Sequence, residues 1–250
     1  GINLLNNSLV INVMADEKGK SMIKKTEDLF WEDNIANEVI KRVEKDKLLK
    51  NIVKKTGYFV YDEKTPSGVI HIGSGRGWVI HDAIAKALRD KGVKAKFVLS
   101  SDDMDPLDKP SKKLSKKDNE KYLGVPFRYI PSPINGYKNF GDYYFSQCTD
   151  LFSDFGIDAK LESTGEEYEK GSFNKSIKIA LDNADKIKKI YAEFYGEDNA
   201  LARRLPFNVL CPKCKKIATT IALDWDKDKE EVHFECSNQV VKWAKGCGFE

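Results

Sequence analysis

Few of the features that would place this chain in a membrane, a secreted scaffold or a strongly basic nucleic-acid coat are present. No apolar run approaches the roughly 20 residues needed to cross a bilayer. Charge of one sign is missing too: 42 Lys and Arg stand against 39 Asp and Glu, for a net +3. That balance is too mild to argue for a polyanionic partner, and a well-solvated surface accounts for it equally. Cysteine is scarce, with five in 250 residues. Four of the five are spaced like metal ligands and not like a disulfide framework, which fits a reducing, cytoplasmic setting. There is no internal repeat and no low-complexity tract. The apolar stretch from Leu9 to Met14 has no positive charge before it, which excludes a signal peptide. Residues 1–30 therefore read as a leader extension, disordered or foreign to the fold, with Met14 or Met22 as the native start.

What remains is a chain with room for one large domain or two small ones. Asp33 to Lys54 reads as one amphipathic surface helix, with Ile35, Val39, Ile40, Val43, Leu48 and Ile52 on one side. Gly57 to Tyr61 reads as a buried strand. Trp78 to Leu88 carries Ile80, Ile84, Ala87 and Leu88 at helical spacing and closes on Gly92. Lys96 to Ser100 is the next strand. Strand, helix and strand at this spacing make a βαβ unit, and so a parallel sheet with a right-handed crossover. Pro106 to Pro133 is expected to form long loops and short elements. Asp142 to Phe155 reads as a helix, Gly156 to Glu162 as a strand, and Phe173 to Tyr195 as one long helix. Pro206 opens a final cysteine module. The predicted class is α/β.

Thr65-Pro66-Ser67-Gly68 and His71-Ile72-Gly73-Ser74 lie where the first strand hands over to the helix. Pro66 and Gly68 force a turn. His71 and Ser74 fall one helical turn apart, Gly73 leaves the backbone open to a ligand, and a helix start offers free N–H groups to anions. That pattern suits a nucleoside triphosphate; the alternative is a glycine-rich turn beside a buried histidine. Ligands of such sheets bind beyond the carboxyl ends of the strands, and both Thr65–Ser74 and Ser101–Asp105 fall there. Asp102, Asp103 and Asp105 read either as a solvated loop or helix cap, or as carboxylates for an ammonium, a ribose hydroxyl or a base.

Cys211-Pro212-Lys213-Cys214 is half of a zinc knuckle, since two thiolates two residues apart can face one tetrahedral ion. Cys236 and Cys247 supply the other half. Ile217 to Leu223 and Glu231 to Phe234 are expected to pair as a hairpin between the halves, and Gly246 and Gly248 to permit the last tight turn. The alternative is a set of free buried thiols. His233 is a weaker candidate than Cys236 because it lies inside a strand. A complete Cys₄ set leaves no open coordination position, so a catalytic metal is not expected. Cys148 and His81 read as structural. Lys109, Lys112, Lys113, Lys116 and Lys117, with Lys175, Lys178, Lys188 and Lys189, could meet a phosphate backbone or face water.

His71-Ile72-Gly73-Ser74 resembles the HIGH signature of class I aminoacyl-tRNA synthetases. The longer Thr65–Gly73 string is similar to the class I lysyl-tRNA synthetases of archaeal type. Ser100 to Pro106, Tyr122 to Phe127, Tyr143 to Cys148, Asn174 to Asn183 and Ile217 to Thr220 extend the resemblance, in order, from about Trp31 to Phe249. It implies the N-terminal half of a Rossmann-like catalytic domain over 31–205, with a helical connective region, and a small zinc ribbon over 206–250. The implied activity is lysine–tRNA ligation, with ATP and Mg²⁺, L-lysine and tRNA(Lys) as partners and a structural Zn²⁺.

ATP would fall to Pro66, Ser67, Gly68, His71, Gly73 and Ser74, with His71 and Ser74 as the catalytic pair. The amino acid or its adenylate would fall to Gly68, Asp102, Asp103 and Asp105. The family's second signature, KMSKS, is absent; Lys112 to Lys116 is a superficial echo that comes too early. The rest of the catalytic fold and the anticodon-reading domain come later in that family, so residues 1–250 alone are expected to be inactive. The alternatives are another class I specificity (glutamyl, cysteinyl or arginyl) and a non-catalytic nucleotide- or RNA-binding module.

Overall fold

The computed structural model describes residues 30–199 and 204–250, so the expected leader lies, save for Phe30, outside the described residues. Two helices, α1 (Trp31–Lys45) and α2 (Lys47–Thr56), replace the single one expected at the start. Asp46 makes the break: it is extended, and its carboxylate accepts from the N–H groups of Leu48 and Leu49. A side chain that caps a helix start stabilises the new helix enough to interrupt the old one.

Three strands follow: β1 (Tyr58–Lys64), β2 (Ala95–Ser101) and β3 (Ala159–Ser163). They form a parallel sheet in the order β1-β2-β3, with Val60 opposite Phe97 and Leu99 opposite Leu161. Helix α3 (Ile72–Asp90) makes the first crossover and ends at Gly92, whose φ of 78° and N–H bond to Arg89 give the expected cap. Trp78 and Ala85 of α3 pack with Phe97, Leu99, Phe145, Cys148 and Phe152 on one face of the sheet. A second cluster, with Ala36, Val43, Tyr58, Ala87 and Leu88, seats α1 against α3 and β1.

The opposite sheet face is different. Phe59 and Tyr61 stay half exposed, with the Lys96 ammonium 4.1 Å from the Phe59 ring. β1, expected to be buried, is an edge strand that alternates in and out. Parallel sheets are ordinarily covered on both faces.

Beyond β2, a lobe with α4 (Lys116–Tyr122) and a 3-10 turn over Phe127–Tyr129 packs on Leu107, Val125, Ile130 and Tyr143. Helix α5 (Phe140–Thr149) stops six residues before the expected Phe155, and Leu151 and Phe155 are exposed. The long helix expected from Phe173 is broken at Asn183 into α7 (Asn174–Asp182) and α8 (Ala184–Tyr195). Leu181 and Ala184 share a cluster with Leu205 and with Ala222 of the antiparallel hairpin β4 (Thr220–Asp226) and β5 (Glu231–Cys236). The Trp225 indole N–H donates to Asp182 at 3.0 Å, and Lys178 pairs with Glu230 at 2.9 Å. α7 and α8 thus share a core with the hairpin across the boundary expected at 205/206. Among the described residues, no helix is long and apolar enough to cross a membrane.

Candidate active site

The turn after β1 delivers His71 as the N-cap of α3, with Gly73 and Ser74 in the first helical turn. No side chain caps this start and its first turn holds no acid; the Ser74 N–H donates to His71 O at 3.0 Å, and the N–H groups ahead of it are left for an anion. His71 is exposed, which removes the buried-histidine alternative. Its ring lies over Gly73, where a Cβ would come within 2.9 Å of Nδ1 and Cε1. Gly73 thus makes room for the His71 imidazole, whereas the space above Gly68 is open. Pro66 is buried, and the start of α5 packs on it: a Cβ on Gly141 would sit 3.3 Å from Pro66 and 3.2 Å from Asp103. His81 is structural, its Nδ1–H donating to Gly77 O at 2.7 Å, and it faces Asp62 at 3.3 Å.

The acidic loop after β2 is split in two by its geometry. Asp103 is buried at 4% exposure, and its carboxylate is taken up by protein donors. Asp102 and Asp105 instead line a cavity of about 690 Å³. Glu63 from the end of β1 joins them, and Tyr168, Tyr191 and Phe207 also line the cavity. Ile217 and Ala218 of the cysteine module complete it; both donate N–H groups to Gly124 O, at 2.9 and 3.3 Å. His71 and Ser74 stand outside this wall. Burial, then Glu63, Asp105 and Asp103, push the Asp102 carboxyl from 3.8 to about 6. Burial, then Asp108 and Glu63, raise Asp105 as well. Three carboxylates, Glu63, Asp102 and Asp105, line the cavity together with one cationic side chain, Arg204, so acid outnumbers base there and the balance favours a bound positive charge.

Glu63, Tyr168, Tyr191 and Arg128 were not marked by the sequence. Glu63 was within reach, as an acid at the carboxyl end of a strand; the tyrosines come from distant helices and carry no local signal. Cys148 is core, its thiol donating to Phe145 O at 2.9 Å and raised by burial to about 11. Lys109, Lys112, Lys113, Lys116 and Lys117 are all exposed. Lys178 is drawn to Glu230 and the Trp225 ring, and Lys188 to Asp185 at 3.6 Å.

The four remaining thiols converge. Cys211, Cys214, Cys236 and Cys247 all lie within 4.8 Å of one another, with Sγ–Sγ separations of 3.6 Å (Cys211–Cys247) and 3.7 Å (Cys214–Cys236). Thiolates at ~2.3 Å from a tetrahedral ion stand ~3.8 Å apart, so the donor set could hold a metal. The Cys247 N–H and Thr219 hydroxyl both approach Cys236 Sγ, at 3.4 and 3.2 Å. A Cβ on Gly246 would lie 2.7 Å from the Cys236 carbonyl oxygen, so only glycine lets the last loop close. His233 sits in β5 opposite Asp224, outside the thiol group.

A family model described as "tRNA synthetases class I (K)" matches residues 29–250. The chain belongs to that family. It is 33% identical over 223 residues to a lysine–tRNA ligase of Methanocaldococcus jannaschii, covering 89% of this chain and 38% of the relative. A lysine–tRNA ligase of Methanosarcina barkeri is 34% identical over 205 residues, 80% of this chain and 38% of that protein. One of Thermoplasma acidophilum is 33% identical over 174 residues, 70% and 34%. The chain spans about 38% of the length of the first two of these relatives.

The raised Asp102 carboxyl has a consequence for stability. Its value in the fold lies above the ordinary 3.8, so the folded protein holds the proton more tightly than the unfolded chain does. Stability is therefore lost as pH rises from about 4 to about 6, and the penalty is complete at pH 7. Asp102→Asn is expected to stabilise the fold by about 1 kcal/mol at pH 7, after allowance for solvent screening, and by only a small fraction of that at pH 4. Paired thermal melts at the two pH values check this; an equal effect at both would contradict it.

Proposed function

We propose that this chain carries the nucleotide- and amino-acid-binding half of a lysine–tRNA ligase, a Rossmann-like α/β half-domain of a cytoplasmic enzyme. The carrying observation is the placement of an uncapped, exposed His71–Ser74 helix start and a carboxylate-lined cavity at the same carboxyl edge of a parallel sheet. The relatives named as lysine–tRNA ligases support the choice of lysine.

In the reaction, the carboxylate of lysine attacks the α-phosphorus of ATP. An O–P bond forms, the α–β anhydride breaks, and pyrophosphate leaves. The terminal ribose hydroxyl of tRNA(Lys) then takes the acyl group and AMP departs. No protein nucleophile is required, so catalysis consists of placement and of stabilising charge on phosphate oxygens. His71 donates to those oxygens as charge develops, and Ser74 and the free N–H groups of α3 hold the phosphates. Pro66 and Ser67 shape the turn, Gly68 leaves the backbone open to the adenosine and adenylate, and Gly73 makes room for the His71 imidazole. Mg²⁺ arrives with ATP. Asp102 and Asp105 receive an ammonium of lysine, and Asp103 keeps its protein partners.

Cys211, Cys214, Cys236 and Cys247 hold a structural Zn²⁺ that fixes the Ile217–Ala218 wall of the cavity. The half-exposed sheet face with Phe59 and Tyr61, together with exposed Val69, Ile72 and Val79, receives the remainder of the catalytic fold that the longer relatives carry. The length match also favours a second reading, in which residues 1–250 by themselves bind nucleotide without activating lysine. Lysine-dependent ATP–pyrophosphate exchange, measured on these residues and on a protein of full family length, separates the two.

Two outcomes follow. Elemental analysis is expected to give one zinc per chain, lost together with the melting cooperativity of the hairpin in Cys211→Ser; a metal-free, equally stable chain would refute the zinc reading. In a protein of full family length, His71→Ala is expected to slow adenylate formation at least ~10-fold with a smaller change in ATP affinity. An unchanged exchange rate would return His71 to a packing role.

A further inference from the structure

We propose that Asp103 is a positioning residue, which with Arg128 and Gly165 clamps the acidic loop so that Asp102 and Asp105 are held on the cavity wall. This rests on the reading of that cavity as the lysine site. The carboxylate of Asp103 is accounted for on both oxygens. Oδ1 accepts from the Gly165 N–H at 2.7 Å. Oδ2 accepts from the Ser163 hydroxyl at 2.7 Å and from Arg128 Nη1 at 3.3 Å. Its main-chain oxygen accepts from the Arg128 N–H at 2.9 Å, and the oxygen of Asp105 from the Phe127 N–H at 3.1 Å. On the other side, the Asp102 N–H donates to Lys64 O at 3.0 Å. The loop is thus laced to the end of β1, to the 126–128 segment and to the β3–α6 junction (α6, Thr164–Glu169).

Arg128 cannot swing away from this arrangement. Its Nε and Nη2 donate to Glu169 at 2.9 and 2.6 Å, and the Tyr129 hydroxyl donates to the same carboxylate at 3.1 Å. Gly165 is required by the fit: a Cβ there would lie 2.8 Å from Asp103 Oδ1 and against Arg128 Cδ. Among the described residues, no donor reaches the Asp102 carboxylate. One aspartate is tied down, and its neighbour is left to face the cavity beside Glu63 and Asp105.

The test uses ¹³C-carboxyl NMR of Asp102 in the 250-residue chain, with Asp103→Asn and Arg128→Lys. Arg128→Lys keeps both charges but loses the forked geometry, so a change in it reports position and not field. In the parent, Asp102 is expected to titrate at about 6. In either folded variant its midpoint should fall back toward the ordinary carboxylate value by at least about half of that shift. In a protein of full family length, the same variants should raise KM for lysine ~10-fold with kcat changed less than ~3-fold. Should Asp103→Asn fail to fold, Arg128→Lys decides alone. An unmoved Asp102 midpoint with an unmoved KM would overturn the clamp. A parent enzyme that shows no lysine dependence would sink the lysine reading instead, with the NMR result still deciding the clamp.

Discussion

A carboxylate taken out of water must find donors for its lone pairs or lose its charge. Asp103 finds three, from Gly165, Ser163 and Arg128, and the geometry of the candidate site depends on that. The interaction ties the end of β2 to β3, to α6 and to the lobe that carries Arg128. It also sets the place of its neighbours, since Asp102 and Asp105 differ from Asp103 only in which way the loop turns them. Gly165 is needed for the same reason, because the start of α6 comes close to this carboxylate, and a Cβ on Gly141 would press on the Asp103 Cβ.

The elements with a strong period were legible: β1, α3 and β2 lie where the apolar pattern and the turn residues put them, and the cysteine hairpin forms with its first strand three residues later than expected, over Thr220–Asp226. Two helix breaks were not. At Asp46 and Asn183 the apolar stripe runs on across the interruption, so periodicity does not register it. The available signal was the residue type, because Asp and Asn compete with the helix for backbone groups. Asn183 does so through its side-chain N–H to Ile179 O at 2.8 Å. The exposure of Phe59 and Tyr61 depends on what covers the sheet, which a strand's own sequence does not encode.

At the site, the convergence of the cysteines was legible because their spacing is that of metal ligands; Gly246 is required by the approach of Cys236, and Gly248 by its positive φ of 69°. His71 and Gly73 were found as a pair, although Gly73 accommodates the imidazole that precedes it. The three aspartates were visible as a cluster and indistinguishable within it. Their separate places come from partners 25 and 60 residues further on, Arg128 and Ser163. Tyr168 and Tyr191 reach the cavity from helices after β3, through contacts that no local pattern announces.

The central claim is that the cavity receives an ammonium of lysine on ionised Asp102. Calorimetric titration of L-lysine into a protein of full family length, between pH 5 and 7.5 (roughly one unit either side of the Asp102 midpoint), tests it most directly. Both lysine ammonium groups stay charged across that range, so the pH dependence belongs to the protein. The account predicts that affinity weakens as pH falls through about 6, that Asp102→Asn binds weakly throughout, and that L-glutamate does not bind. A flat profile, or equal binding of glutamate, would contradict it.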